Sequence, residues 1–508
     1  MTSSAAPPDL PDERAAPEAG LARVAVGGVA WSGFSYLFGK VLVLVTTVVL
    51  ARLLTPGDFG VVGLALVFIA YVEGITDLGV AEALVYMPPG DDRNDAAFVL
   101  SLLWSGALTA MGMVAAPWAA SFFHRPDITT MFRVLSLSLF LRGTAEVPEA
   151  LLRKELRFRQ RVWADVGRVV AQGAVSISLA LAGLGPWAIV YGYLTASLMW
   201  SVVAWGLVRY RPGRHLFDPV RRWARPLLAF GLPAAGNVLL LSVVFDFDYL
   251  IVGRRLGPSA LGWYTLAFRI PELAIINVFY VLSAVAYPVF ALAKEDPGRL
   301  RRGYVTSVRL QAAYGLGAGV ALAVIAPMSI HALFGPKWGP SVVPLEALAL
   351  YAAFRSLGVG SVDVYKATGR PRLAFWASVV RLVAVAPALL IASRWGIDGV
   401  AWAQAVVALL LAVFMQTLAA RILRLRVRTI GAALVPGVAI AAGAALGAGA
   451  VRLWLPGPEA VRLVASLVAG LSGGAGLLGA VDRRFAAQVR GLLAHRPAPA
   501  GAAGPASP

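Results

Sequence analysis

Apolar stretches of about twenty residues recur along this chain from about residue 24 to residue 481, and short loops between them carry most of the charge. A helix crossing the ~30 Å hydrocarbon core of a bilayer needs ~20 mostly apolar residues. Inside that core every backbone polar group must be bonded within its own segment. The pattern predicts an all-α polytopic membrane protein. A transmembrane β-barrel would show alternating segments of ~10 residues instead, and the sequence has none. Composition agrees: 59% of the 508 residues are hydrophobic and 14% are charged, against roughly a quarter charged in a soluble domain.

Segmentation gives about fourteen transmembrane helices, over 24–51, 59–87, 96–120, 128–150, 162–183, 186–208, 227–252, 260–290, 305–334, 341–365, 372–393, 396–420, 429–453 and 460–481. Residues 1–22 are polar, proline-rich and without an apolar leader core. They read as a disordered cytoplasmic tail, with no signal peptide expected. Residues 485–508 read as a second cytoplasmic tail.

Basic residues set the expected orientation. The loops 153–161, 209–225, 294–302, 366–372 and 421–428 hold 22 Lys and Arg and fall on one side of the membrane. Eight fall on the other: Arg52, Arg125, Arg254, Arg255, Lys337, Arg394, Arg452 and Arg462. By the positive-inside rule the first side is cytoplasmic, and so are both termini. The acidic loop 88–95 lies on that side too, but acidic residues count little in this rule. The net charge of +18 is thus a topology signal, and no nucleic-acid partner is expected.

The chain also repeats itself. WADVGRVV (163–170) returns as WASVVRLV (376–383), 213 residues later, with Arg168 on Arg381. At the same offset FLRGTAEVPEALLRKE (140–155) aligns with AFRSLGVGSVDVYKAT (353–368), placing Arg142 on Arg355. ARLLTPGDFGVVGLA (51–65) aligns with GRRLGPSALGWYTLA (253–267) at an offset of 202, sharing the pattern R-x-L-x-P-x-x-x-G. A repeat unit of six helices keeps both copies in one orientation, related by an axis along the membrane normal. The expected domains are a lobe over 23–208, a basic cytoplasmic linker over 209–226, a lobe over 227–424, and two added helices over 425–484. Two such lobes are the architecture of alternating access.

Several chemistries are excluded. With no cysteine, disulfides, thiolate metal sites and thiol nucleophiles cannot occur. No G-x-x-x-x-G-K-[ST] loop is present, and the four His residues lack metal-ligand spacing. Carboxylates are too dispersed for a glycosidase pair. No cofactor is expected, and no enzyme activity. Trp31, Trp187, Trp338 and Trp402 lie near span ends and read as interfacial anchors.

Taken in order, ARLLTPGDFGVVGLA (51–65), DLGVAEALVY (77–86), ALLRKELRFR (150–159), DYLIVGRRLGPSALGWYTLAFRIPE (248–272), LFGPKWGPSVVPLEALAL (333–350) and K-x-x-G-R-P (366–371) resemble a known group. They are similar to the Wzx-type polysaccharide and lipopolysaccharide biosynthesis flippases of the multidrug/oligosaccharidyl-lipid/polysaccharide exporter superfamily. Glu82 departs from the small or apolar residue expected there. The resemblance implies a protein of the bacterial cell membrane that moves a lipid-linked oligosaccharide, on a polyprenyl diphosphate, from the cytoplasmic to the outer leaflet. An ion-coupled small-molecule antiporter of the multidrug type and a lipid II flippase remain the alternatives. A polymerase or ligase of the same polysaccharide would need a long outer loop with catalytic residues, and every expected outer loop is short. The protein is expected to act as a monomer among membrane lipids.

Charges within the spans are the candidate site residues. A charge at the bilayer centre costs ~3 kcal/mol on insertion scales and marks a bundle interior or a wet cavity. The diphosphate of the implied substrate needs cations, and the planar fork of Arg meets phosphate oxygens in two parallel bonds. The substrate-binding candidates are Arg355, Arg381, Lys40 and Arg142. On a helix, residues three or four apart are neighbours. Arg168 has Asp165 and Arg142 has Glu146 at such spacing, whereas the matching positions beside Arg381 and Arg355 hold Ser378 and Val359. Two readings stay open: the arginines of the second repeat pair with acids on other helices, such as Asp246, Asp248 or Asp363, or at least one holds phosphate. Lys40 has Glu73 or Asp77 as its possible partner. Arg269, with Glu272 at i+3, reads as structural. Asp246, Asp248 and Asp77 are candidates for binding H⁺ or Na⁺ and coupling transport to an ion gradient.

Overall fold

The computed structural model describes residues 38–73, 79–88, 90–155, 157–213 and 217–493. Asp77 and Trp31 lie outside them. No strand occurs among the described residues, and every apolar segment marked on the sequence is helical there. In chain order the helices are α1 (38–53), α2 (Pro56–Glu73), α3 (Val80–Tyr86), α4 (Asp91–Phe122), α5 (Thr129–Gly143), α6 (Glu146–Lys154), α7 (Phe158–Leu181), α8 (Trp187–Leu207) and α9 (Asp218–Leu256). They continue with α10 (Pro258–Pro271), α11 (Asn277–Leu292), α12 (Pro297–Ser329), α13 (Val342–Ser356), α14 (Val359–Ala367), α15 (Pro371–Ala392), α16 (Gly396–Ile422), α17 (Val427–Trp454), α18 (Glu459–Val481) and α19 (Arg483–Leu493).

Among the described residues ten helices are long and apolar enough to cross a bilayer. One of the ten, Arg372–Ile422, has 51 residues. As a straight helix it would be about 77 Å long, more than twice the hydrocarbon thickness. It is in fact α15 and α16, divided by a 3₁₀ turn at Ser393–Trp395 and by Gly396 at φ 71°. The left-handed conformation at 396 costs little only because glycine has no Cβ. The chain is a multi-pass membrane protein.

Two segments read on the sequence as single spans are broken. The span at 128–150 divides into α5 and α6 at Thr144–Ala145, and the span at 341–365 divides into α13 and α14 at Leu357–Gly358. These breaks stand at the same place in the two repeats, 213 residues apart. A further irregularity follows Pro271, which has no N–H to give to the preceding turn: the chain widens into a π-turn over Glu272–Ile276 before α11 resumes. The sequence segmentation also ends before α19, a short helix that Asp482 caps by accepting from Phe485 N at 2.9 Å.

Contacts divide the chain into two units. The first holds residues up to Leu50, Phe68–Ser121 and Arg125–Leu240. In it α8 packs against α5 and α7, and α3 against α6. Small residues allow the approach: the face of Gly112 is filled by Ser136, that of Gly143 by Ser105 and that of Gly192 by Ser176. Lipid tails are as apolar as the side chains they would touch, so close packing and interhelical hydrogen bonds hold such helices together. Thr109 supplies one of those bonds, donating to the Ser136 carbonyl at 3.2 Å.

The second unit holds Ala51–Val67, Phe122–His124 and Leu241 onward. Here α12 lies along α13 and α17, and α17 along α18. The α17–α18 seam is made of glycine and alanine, with Gly443 facing Gly473 and Gly447 facing Ala469. A second core gathers Tyr304, Val308, Tyr365 and Ala419, all fully buried. Its hydroxyls are bonded, Tyr304 to Gln416 Oε1 at 2.7 Å and Tyr365 to the Met415 carbonyl at 2.7 Å. Loops that the charge count puts on the poorly basic side meet one another in this unit. Arg52 donates to the carbonyls of Ala332 and Leu333, Arg254 lies 3.1 Å from His124 Nδ1, and Arg255 donates to Leu390 O and Ser393 Oγ. Trp338, read as an interfacial anchor, is instead fully buried; its indole N–H donates to the Ala51 carbonyl at 2.9 Å.

Candidate substrate and ion sites

Arg355 ends α13 and Arg142 ends α5, each just before the break in its span. The last carbonyls of a helix carry partial negative charge, so a cation in the final turn is favoured there. Each arginine stands thirteen residues into its helix, about 20 Å along the axis. The repeat thus places a positive charge beside an interrupted helix twice, at the same position along each helix.

In the second unit Arg355 donates through Nη1 to the Tyr351 hydroxyl at 3.0 Å and through Nη2 to the Tyr280 hydroxyl at 2.9 Å. Arg381, from α15, donates through Nη2 to the same Tyr351 hydroxyl at 2.7 Å. Both guanidinium carbons lie 5.9 Å from the Tyr351 ring centroid. Two of the four substrate candidates are therefore brought together around one phenol. Sequence reasoning missed both tyrosines. Tyr351 had a signal, since it lies one turn before Arg355 on the same helix face; Tyr280 had none.

The acids in this unit take separate positions. Asp248 is 1% exposed. It accepts from the Tyr264 hydroxyl at 2.7 Å and from the backbone N–H of Tyr249 at 3.0 Å. Gln404 on α16 is its further neighbour, and the Gln404 amide oxygen is buried without a hydrogen-bond partner among the described residues. Asp246, two residues away on another face of α9, lies in the electrostatic field of Arg355, Glu272 and Asp248. Asp363 accepts from Ser283 Oγ at 2.8 Å on both oxygens. Arg269 pairs with Glu272 at 3.0 Å, as its spacing suggested.

In the first unit Arg142 reaches Glu73 on α2 at 3.3 Å. The other Glu73 oxygen accepts from the Tyr193 hydroxyl at 2.6 Å. The Arg142 side chain is 44% exposed and that of Glu73 16%, so the guanidinium keeps an open side while the carboxylate is enclosed. Glu73, offered above as a partner for Lys40, is thus engaged by Arg142 and Tyr193. Lys40 lies half-buried on α1. Asp165 and Arg168 are half-buried on α7, within electrostatic reach of each other.

Comparison with known proteins follows the same lines. The sequence model of a family described as "Polysaccharide biosynthesis protein" matches residues 49–343. The succinoglycan biosynthesis transport protein ExoT of Rhizobium meliloti is 25% identical over 374 residues, which cover 72% of this chain and 74% of that protein. The lipopolysaccharide biosynthesis protein WzxC of Escherichia coli is 24% identical over 382 residues, covering 73% and 75%. Among solved structures, the lipid II flippase MurJ in an inward closed conformation aligns with a TM-score of 0.73 at 13% identity, over 89% of this chain and 99% of that one. An inward-facing MATE multidrug transporter of the MOP superfamily aligns with a TM-score of 0.65 at 18% identity, over 76% and 94%. At these identities the likeness to the solved structures is one of fold.

Proposed function

The chain belongs to the family of polysaccharide biosynthesis proteins, and from that premise we propose that it is a flippase. Its substrate is an oligosaccharide on a polyprenyl diphosphate, carried from the cytoplasmic to the outer leaflet by alternating access. The prenyl tail can stay in lipid, so only the charged, sugar-bearing head needs a polar path. Arg355, Arg381, Arg142 and Lys40 supply the positive charge for the diphosphate. The moving parts are the two sequence repeats, 23–208 and 227–424, with 425–484 as added helices and both termini cytoplasmic. The protein acts as a monomer and makes or breaks no covalent bond.

The observation that carries this reading is the repeated arginine at a repeated helix break. Transporter sites are typically built where membrane helices are discontinuous, because freed backbone groups and helix ends can face a ligand there. An arginine at such a break, twice, suits an anionic head rather than an organic cation. For coupling, the Asp248 carboxylate is a candidate for H⁺ or Na⁺; Asp246 and Asp77 are the further candidates.

Deleting the gene tests the reading. One surface polymer should disappear while its lipid-linked precursor accumulates on the cytoplasmic side, and Arg355→Ala should insert normally yet fail to restore export. Full restoration by Arg355→Ala would remove that residue from the site. Intact surface polymers with altered resistance to small organic ions would instead favour the antiporter.

A further inference from the structure

Tyr351 has no place yet in the proposed function. It is 2% exposed, and its ring is held against Phe268 at a centroid distance of 5.9 Å. Its hydroxyl oxygen accepts from Arg355 at 3.0 Å and from Arg381 at 2.7 Å. The two guanidinium nitrogens therefore cannot be further apart than the sum of those two bonds. Two positive groups held that close repel each other, so an acceptor shared between them is what fixes their separation.

A phenolic oxygen has two acceptor sites and one hydrogen to donate. Arg355 and Arg381 occupy both acceptor sites. No acceptor for the Tyr351 hydrogen stands among the described residues. A buried donor left without an acceptor is costly, and a guanidinium offers donors only. Two guanidinium groups and a hydroxyl hydrogen at one place form a donor set whose complement is an anion with several oxygens.

Resting on the flippase reading, we infer that Tyr351 is the positioning residue of a diphosphate-selective site, holding Arg355 and Arg381 at the spacing of two linked phosphates and adding its own hydroxyl as a third donor. A diphosphate presents two phosphoryl groups joined through one oxygen, and each can face one guanidinium. A monophosphate can satisfy only one of the two at full strength. The tyrosine therefore sets which prenyl phosphate is accepted, and the arginines supply most of the affinity.

The test is equilibrium binding of three probes, farnesyl diphosphate, farnesyl monophosphate and farnesol, to the purified full chain and its variants. Wild-type protein should bind the diphosphate best. Tyr351→Phe keeps the ring and its packing but loses the shared hydroxyl; the preference for diphosphate over monophosphate should fall about tenfold, the worth of one hydrogen bond to a charged group. Farnesol binding should be unchanged and monophosphate binding should fall less than diphosphate binding, whereas a purely structural defect would weaken all three probes together. If Tyr351→Phe proves unstable, Arg381→Lys serves instead: it keeps the charge, gives up the fork that reaches the hydroxyl, and should lose the same preference. A wild-type preference that survives in these variants overturns the role of Tyr351 and leaves the flippase reading standing. Equal binding of all three probes by wild-type protein overturns the diphosphate site itself.

Discussion

Gly60 and Gly262 give up the same volume to each other's loops. A Cβ on Gly60 would run into the carbonyl of Pro258, and a Cβ on Gly262 would run into the carbonyl of Pro56. Pro56 aligns with Pro258, and Gly60 with Gly262, in the repeat at offset 202. When residue i meets j and the counterpart of j meets the counterpart of i, the contact is that of a two-fold axis. The R-x-L-x-P-x-x-x-G pattern is thus a packing motif: proline opens the helix at its first position, and one turn later glycine admits the other copy's proline.

Replacing either glycine should therefore be costly. The obstructing atoms are backbone carbonyls, which cannot swing aside as the end of a long side chain would. Gly60→Ala or Gly262→Ala should lower stability by at least the ~1–3 kcal/mol typical of overpacking. Gly431→Ala and Gly476→Ala, where an added Cβ meets nothing within 4 Å, should be neutral within error. Thermal unfolding of the purified protein in detergent distinguishes the two pairs; equal midpoints for all four would mean the turns do not pack in this way.

The LFGPKWG stretch makes a second prediction. Lys337 Nζ donates to the carbonyls of Arg52 and Leu54 at 2.9 and 2.7 Å, and Trp338 donates to that of Ala51. The carbonyls of Ala51 and Arg52 end α1 and have no partner within the helix, and Leu54 follows just after it. Arg52 returns the contact by donating to Ala332 and Leu333. Lys337→Met keeps the length of the side chain and removes both bonds. It should cost roughly 1.5–3 kcal/mol, the range for hydrogen bonds to charged groups, and should raise protease sensitivity near residues 51–55. Unchanged proteolysis there would show that the cap holds nothing in place.

Much of this fold was legible because a bilayer allows so little else. Apolar length alone located the helices, and shared Arg, Pro and Gly located the repeat. The breaks at Thr144–Ala145 and Leu357–Gly358 had local signals in Gly143, Pro148 and Gly358, but glycine and proline are tolerated inside membrane helices, so these residues alone did not divide the spans. Partners distant in sequence were out of reach too: Glu73 is 69 residues from Arg142, and spacing rules see only three or four. Trp338 was misplaced for a related reason, because a loop position near a span end says nothing about whether another helix end will cover it. Tyr351 is the instructive miss. Its i−4 spacing to Arg355 was visible, but attention to charge alone passed over a neutral group that binds two cations.

The pair formed by Arg142 and Glu73 yields a third prediction, this time on coupling. Glu73→Gln leaves an arginine within the bundle facing a neutral amide, and Arg142→Gln leaves an enclosed carboxylate. Each single change should be destabilising, and the double change should cost less than the sum. An interaction energy of about 0.5–3 kcal/mol is the range for residues in one network, and the open side of Arg142 argues for its lower end. Tyr193→Phe should weaken the same coupling, because it removes the bond that fixes the carboxylate. Strict additivity across the cycle would show that the two charges do not act together.

Asp296 supports a prediction about pH. It lies just outside α12, and its carboxylate accepts from the backbone N–H groups of Gly298 and Arg299 at 2.8 and 2.9 Å. Pro297 fills the first helical position, where a missing N–H costs nothing. The two bonds, that from Arg299 foremost, hold the Asp296 carboxyl below its ordinary range. A carboxyl with a depressed folded-state pKa adds stability above its unfolded pKa and loses it as pH falls through the folded value. The start of α12 should therefore loosen in acid, below about pH 4. Asparagine is as good a cap as aspartate but does not titrate there. At neutral pH, Asp296→Asn should match wild type in amide hydrogen exchange over residues 298–301, and Asp296→Ala should exchange faster. As pH is lowered, wild type should lose protection relative to Asp296→Asn, the intrinsic pH dependence of exchange cancelling between the two. A constant ratio from pH 6 to pH 3 would mean that the charged carboxylate is not what holds this helix end.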